Sequence, residues 1–401
     1  MKTYNPIRLY IKEQKDIVTE FKKIGADPGG IKLMAPKGEV LLIRAEQVSL
    51  KAANLLKQEM LSRGGDCVVH RNVSNLTIEE SAVILIGTRR IFQGVLPKLR
   101  SQPFGLKALG KEIEILLYNE MKSKESQTMM IRGKVYDWNA KTWIMGILNV
   151  TPDSFSDGGK FNQSEYAVAH AKEMVANGAD IIDIGGESTR PGHEPVSLEQ
   201  ELARVVPIIE ALRTEVPDIP ISIDTYKAKV AEEAIKAGAD IINDIWGAKK
   251  EPAIAGVAAK YQVPIILMHN RTDKNYVHLM SDIASDMRKS IAIAKKAGVT
   301  DGQIILDPGI GFAKTYEQNL EVMRKLDTFT ALGYPVLLGT SRKSMIGNAL
   351  DLPVTERMEG TGATVCLGIE KGCQIMRVHD VKEMSRMAKM MDIMLGRRID
   401  G

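Results

Sequence analysis

Cysteine is scarce in this sequence of 401 residues. Cys67, Cys366 and Cys373 frame no even disulfide set and have no metal-ligand spacing, which excludes a cystine-stapled or cysteine-ligated domain. Cys366 and Cys373 read as small, reduced core residues of a helix and its exit. No run approaches eighteen consecutive apolar residues, and the opening MKTYNPIRLYIKEQKD lacks the apolar region of a signal peptide. A cytoplasmic protein without membrane spans is expected. Aromatic residues make up only 5%, and no block of Lys or Arg occurs. Lys+Arg minus Asp+Glu is 23 − 15 = +8 over residues 1–138 and 31 − 35 = −4 over the rest. The basic charges are scattered with few aromatics between them, so a solvated surface is expected rather than a nucleic-acid partner. What is abundant is a core: 44% apolar against 26% charged.

The amino-terminal third carries short elements of both kinds. Residues 13–24 have a helical pattern ended by Gly25 and the turn Asp27-Pro-Gly-Gly30. Val40–Ile43, Cys67–His70 and Val83–Ile86 read as strands. Ser49 is placed to cap a helix over 50–62, and Ile78–Ser81 reads as the start of a short helix. The stretch 121–130 resembles a polar linker. These readings give a small α/β domain over 1–138, of unknown role, ahead of a second domain over 139–401.

From residue 142 the sequence becomes regular. Eight short apolar runs recur: Ile144–Val150, Asp180–Gly186, Pro220–Asp224, Ile241–Ile245, Pro264–His269, Ile304–Gly309, Pro335–Ser341 and Ile375–Asp380. Amphipathic stretches of helical period lie between them, among them Ser164–Asn177, Leu198–Glu215, Lys227–Ala237 and Asp282–Ala297. Alternating units with almost continuously apolar strands imply a parallel sheet covered on both faces. Eight such units, with no GxGxxG after the first strand, favour a closed (β/α)₈ TIM barrel over an open dinucleotide-binding sheet.

In such a barrel the carboxyl ends of all strands face one mouth. The exits carry Asn149, then Glu187-Ser-Thr-Arg190, Asp224, Asn243-Asp244, His269-Asn270, Asp307, Ser341-Arg-Lys343, and Arg377 with His379. Any one of these has an ordinary structural role open to it, such as a helix cap or a satisfied core histidine; their convergence on one rim argues for a site. Asp224, Asn243 and Asp307 match a ring bearing several N–H donors and acceptors. Lys343, Arg377, His379 and Arg190 form a cationic side suited to a phosphate or diphosphate. Asn149 offers a neutral oxygen to Mg²⁺. A ring beside a diphosphate suggests displacement of diphosphate from a carbon attached to that ring. No Ser/His/Asp triad is found.

The segments NVTPDSFSDGG, GGESTRPG, ISIDT, INDI, LMH, LDPGIGF, SRK and RVHDV, in that order, resemble the dihydropteroate synthase family over residues 142–397. The resemblance implies the folate-pathway condensation of 6-hydroxymethyl-7,8-dihydropterin diphosphate with p-aminobenzoate, Mg²⁺ as cofactor, sulfonamides as inhibitors and a homodimer. By this analogy Asp224, Asn243, Asp307 and Lys343 contact the pterin. Thr189, Arg377 and His379 hold the diphosphate, and Asn149 coordinates the metal. Phe155, Thr189, Arg190, Pro191, Lys343 and Ser344 form the aminobenzoate pocket. Asp153, Asp157 and Lys343 serve catalysis, the aspartates by stabilising a pterin cation. The first 138 residues are an extension that shorter members lack.

Two other classes compete. A pterin-dependent methyltransferase uses a similar barrel but needs neither a diphosphate site nor the Asn149–Gly159 motif. A non-catalytic pterin-binding paralogue is expected to have lost a cation or a loop aspartate, and none is missing.

Overall fold

The structure, a computed structural model, describes residues 6–9, 11, 14–73, 75, 77–125, 127–150, 160–187 and 196–397. It divides into two units, 1–118 and 119–401.

In the first unit, β1 (Val40–Ser49), β2 (Asp66–Val69) and β3 (Glu80–Thr88) form an antiparallel sheet in the order β1-β3-β2. Alternate residues of β3, including Val83 and Leu85, are buried against Leu56, Met60, Phe92 and Leu99. Ser49 caps the helix Leu50–Leu61 by accepting from Ala52 N–H at 3.4 Å. Two local expectations are corrected. Glu80 and Ser81 are not helical but pair with Ser49 and Val48, because a nine-residue strand extends the ladder with β1. Asp27 does not merely turn the chain; it caps the helix Pro28–Met34, accepting from Gly30 N–H at 2.9 Å.

Residues 121–130 are not a linker: they complete the helix Leu106–Glu125 and begin a hairpin of β4 (Thr128–Ile131) and β5 (Lys134–Asp137). The division at 118/119, rather than at 138, has a packing cause. Asn119 Nδ2 donates to Leu332 O at 3.3 Å and Gln127 Nε2 to Gly333 O at 3.1 Å, so both bind to the barrel. The hairpin then supplies Met129 and Ile131, with Trp138 just beyond it, to the barrel floor.

The barrel strands are β6 (Trp143–Asn149), β7 (Ile181–Gly185), β8 (Ile221–Asp224), β9 (Ile241–Asp244), β10 (Ile265–Met268), β11 (Ile304–Asp307), β12 (Leu337–Leu338) and β13 (Ile375–Val378). All neighbours pair in parallel in the order β11-β10-β9-β8-β7-β6-β13-β12. A parallel bridge between Leu306 and Val336 closes the ring. The expected eight-stranded barrel is therefore present.

Its interior is layered by strand parity. Met145, Ile181, Ile241, Ile266, Ile305, Leu337 and Ile375 share the floor with the hairpin residues. Residues two apart on a strand share a face. The position one pleat above Ile181 is Asp183, above Ile241 is Asn243, above Ile305 is Asp307 and above Ile375 is Arg377. The same inward face is thus apolar at the amino end and polar at the carboxyl end. Intervening residues such as Ile182, Ile184, Ile242, Leu267 and Val378 pack outward beneath the helices.

Candidate active site

Arg377 lies at the centre of the polar layer. Its Nε donates to Asp183 Oδ2 at 2.6 Å and its Nη2 to Asp224 Oδ2 at 2.7 Å. Asn243 Nδ2 also donates to Asp183 Oδ2, at 3.2 Å. Each carboxylate keeps a second oxygen, Oδ1, that is buried without a hydrogen-bond partner. A buried acceptor of that kind costs free energy until a donor arrives. Burial, together with the neighbouring Asp183, pushes the Asp224 carboxyl above its ordinary range, while Arg377 opposes the rise. The same charge arrangement holds Arg377 firmly cationic.

Asp307, at the end of β11, accepts from Gly309 N–H at 2.7 Å. Burial raises its pKa against the pull of Lys343. Lys343 donates to Ile310 O, and its Nζ stands 4.8 Å from the centre of the Phe312 ring. Burial brings the Lys343 ammonium down to about 8, with Asp307 opposing and Arg377 adding to the fall. A Cβ built on Gly339 comes 3.9 Å from both Lys343 Nζ and Arg377 Cδ, so the lysine ammonium and the arginine stem both border this glycine. Ser341 Oγ accepts from His379 N–H at 3.1 Å and bonds His379 Nδ1 at 2.9 Å. Arg342, held at φ +56°, forms a two-pronged ion pair with Asp380, which ties the loop after β12 to the loop after β13.

Asn149 ends β6 with an exposed side chain. A Cβ built on Gly185 lies 3.6 Å from Asn149 Oδ1 and 3.7 Å from Asp224 Cβ, so the absent side chain leaves open the space between the amide and the carboxylate. Ser344, exposed, begins the helix Ser344–Leu350. Of the residues expected from the sequence, Asn149, Asp224, Asn243, Asp307, Lys343, Ser344, Arg377 and His379 all stand at the carboxyl ends of the barrel strands or just beyond. Asp153, Phe155, Asp157, Thr189, Arg190 and Pro191 lie outside the described residues.

Asp183 was not anticipated. Its signal was a carboxylate inside an otherwise apolar buried strand, at the parity of Asn243 and Arg377. Lys227 was also missed; it donates to Glu187 at 2.6 Å, Glu201 at 2.5 Å and Val196 O at 2.8 Å. Among the described residues no cluster of three His, Cys, Asp or Glu side chains is arranged to hold a metal. The donor set fits a hard cation held by Asn149 together with water and ligand oxygens, the mode usual for Mg²⁺.

At the carboxyl end of a TIM barrel, buried carboxylates interleaved with an arginine and a lysine form a polar layer where such barrels carry their active sites. The profile of the pterin binding enzyme family matches residues 145–379. A dihydropteroate synthase of Bacillus subtilis is 62% identical over 273 residues, covering 68% of this chain and 95% of that protein. A probable bifunctional folylpolyglutamate synthase/dihydropteroate synthase of Halobacterium salinarum is 40% identical over 369 residues, covering 89% of this chain and 43% of its own length. That alignment is longer than the barrel unit, so it enters the amino-terminal unit as well. A crystal structure of a dihydropteroate synthase from Clostridium difficile, determined in the presence of pteroic acid, superposes with a TM-score of 0.63 at 53% identity. It covers 65% of this chain and 98% of the solved one. The chain belongs to the pterin-binding enzymes and, within them, to the dihydropteroate synthases, which are transferases of folate biosynthesis.

Proposed function

We propose that the polar layer of the barrel holds the pterin ring and the cationic side holds its diphosphate, for the condensation that gives 7,8-dihydropteroate. The observation that carries this division is the pair of orphaned acceptors, Asp183 Oδ1 and Asp224 Oδ1, buried beside Arg377. A ring with adjacent N–H donors satisfies acceptors of that kind, and an apolar ligand does not. Asp224, Asn243 and Asp307 take the ring edge, and Lys343 donates to it from the other wall. Asp183, with Oδ1 open to the ring, also fixes the plane of Arg377 by accepting from its Nε at Oδ2.

The diphosphate lies toward Arg377 and His379, with Thr189 added from the loop after β7. Asn149 takes Mg²⁺, which when bound neutralises charge on the departing diphosphate. The bond from the pterin methylene carbon to the diphosphate oxygen breaks with both electrons leaving on oxygen. The aniline nitrogen of p-aminobenzoate supplies the pair for the new C–N bond and then loses a proton. Lys343 and Arg377 stabilise the charge that grows on the leaving side. Asp153 and Asp157 do the same for the cation left on the pterin. Phe155, Thr189, Arg190, Pro191, Lys343 and Ser344 form the aminobenzoate pocket, where sulfonamides are the expected competitors. The aniline is nucleophilic without a strong base.

No helix among the described residues is long and apolar enough to cross a membrane. We read the enzyme as a cytoplasmic homodimer formed through the helices around β12 and β13. Leu350, Leu367, Met390, Ile393 and Met394 stand exposed on those helices in support of that reading. The test of the reaction is diphosphate release from the pterin substrate with Mg²⁺, measured with and without p-aminobenzoate while dihydropteroate is assayed. Equal amounts of both products, sustained only by the aminobenzoate, are expected. Pterin binding with neither product would overturn the reaction while leaving the binding site standing.

A further inference from the structure

Behind the acidic wall lies a buried cation that the reaction does not use. Lys314 follows the loop after β11, and its side chain is almost wholly enclosed. Its Nζ meets three acceptors, Gly309 O at 3.0 Å, Phe312 O at 3.2 Å and His269 Nδ1 at 3.0 Å, while burial brings its pKa down to about 7. The Asp286 carboxylate only accepts, so His269 carries its hydrogen on Nε2 toward Asp286 Oδ2 at 3.4 Å and accepts from Lys314 at Nδ1. Asp286 is held in turn by Arg271 at 2.7 Å and Lys289 at 3.2 Å. The chain Asp286–His269–Lys314 runs from the helix Leu279–Lys296 through the end of β10 into the loop.

The loop is wrapped around that ammonium. The Gly309 and Phe312 carbonyls point inward to Lys314, whereas the Ile310 carbonyl receives Lys343 Nζ and the Phe312 ring lies against it. Gly309 sits at φ +65°, and a Cβ there would come 2.0 Å from His269 O, so the loop has one way to approach the histidine. Gly309 N–H also donates to Asp307. One buried lysine therefore fixes the backbone that orients two residues of the pterin wall.

We propose that Lys314, anchored by His269 and Asp286, is a positioning residue for the pterin side of the site, setting Asp307 and Lys343 through the 309–313 loop. This rests on the pterin reading above. Removing the ammonium turns two inward carbonyls loose and frees Ile310 O from its place under Lys343. Arg377 and His379, which receive the diphosphate before it departs, come from β13 and its exit, which the loop does not hold, so binding of free diphosphate keeps those two partners. The effect is a split between two affinities, which a general loss of packing does not produce.

The test measures binding of pterin diphosphate and of inorganic diphosphate, each with Mg²⁺, to the full chain and to Lys314→Met. Wild-type protein that binds no pterin diphosphate would sink the site reading itself, independently of the variant. With wild type binding, folded Lys314→Met is expected to lose pterin diphosphate affinity about tenfold, as outer-layer partners do at metal sites. Its affinity for inorganic diphosphate is expected to stay the same. Both affinities unchanged, or both falling together, overturns the proposal. Should Lys314→Met not fold, the isosteric Asp286→Asn decides. A severalfold pterin loss with diphosphate spared supports the anchor chain, and an unchanged pterin affinity refutes it.

Discussion

Asp183 and Arg377, 194 residues apart in sequence, meet inside the barrel with Arg377 Nε 2.6 Å from Asp183 Oδ2. The pairing joins β7 to β13 across the barrel interior and leaves Nη2 for Asp224. A guanidinium held at two edges has one orientation.

Asp183→Ala leaves Arg377 with one carboxylate fewer in a buried setting. Breaking a buried ion pair by removing one partner costs roughly 3–5 kcal/mol. Urea denaturation of the variant is expected to show a loss of that order. Asp183→Asn, which keeps the shape, should be milder in stability yet weaken substrate binding. Stability and KM both at wild-type values would remove Asp183 from the account.

Lys343→Ala is expected to lower kcat/KM for the pterin substrate by about a hundredfold or more, given the loss of a charged donor in a water-poor site. Steady-state kinetics with saturating aminobenzoate read this directly. An unchanged kcat/KM would refute the role.

The pH profile follows from the same lysine. Its folded pKa lies at about 8, below the ordinary lysine value, because burial penalises the cation. The protonated, donating form therefore prevails below that pH and is lost as the pH rises through it. Activity should fall on the alkaline side with a midpoint near there, in the pH dependence of kcat/KM. Lys343→Arg, whatever its absolute rate, should lack that limb because arginine stays charged.

Gly185→Ala separates stability from binding. The added Cβ would make only ordinary contacts, at 3.6 Å to Asn149 Oδ1 and 3.7 Å to Asp224 Cβ, and Gly185 is not at positive φ. The fold should hold to within about 1 kcal/mol by thermal or urea melting. Substrate and Mg²⁺ affinity should fall, because the methyl group occupies the space between the amide and the carboxylate. Full affinity in the variant would show that ligands do not use that space.

Trp138→Ala addresses the floor. Trp138 is fully buried among Met129, Met145 and Ile375, and its loss should cost roughly 3–5 kcal/mol. The kcat measured well below the melting temperature should be almost unaffected, since the polar layer lies above the floor. A large kcat loss in folded protein would mean that the floor shapes the site.

The barrel was legible because each strand is a short apolar run closed by a polar exit, and the exits among the described residues do stand together at its carboxyl end. Asp183 escaped that reading: it stands inside the run, one pleat below the exit, where an isolated sequence shows a carboxylate without its partner. Lys314 escaped for a related reason. Its acceptors are backbone carbonyls and a histidine 45 residues earlier, which no local pattern displays. The polar composition of 121–130 suggested a tether, but the outer face of the hairpin strand that begins at Thr128 is equally exposed, with Thr128 and Met130 facing out. Burial of Met129 and Ile131 on the inner face is a tertiary fact.

The hairpin beneath the barrel stoppers its amino end: Met129, Ile131 and Trp138 pack against the lowest layer of strand residues, so the apolar floor stays covered without help from any ligand. The polar layer can then be spent wholly on recognition, because the burial that holds the barrel together is completed from the other end.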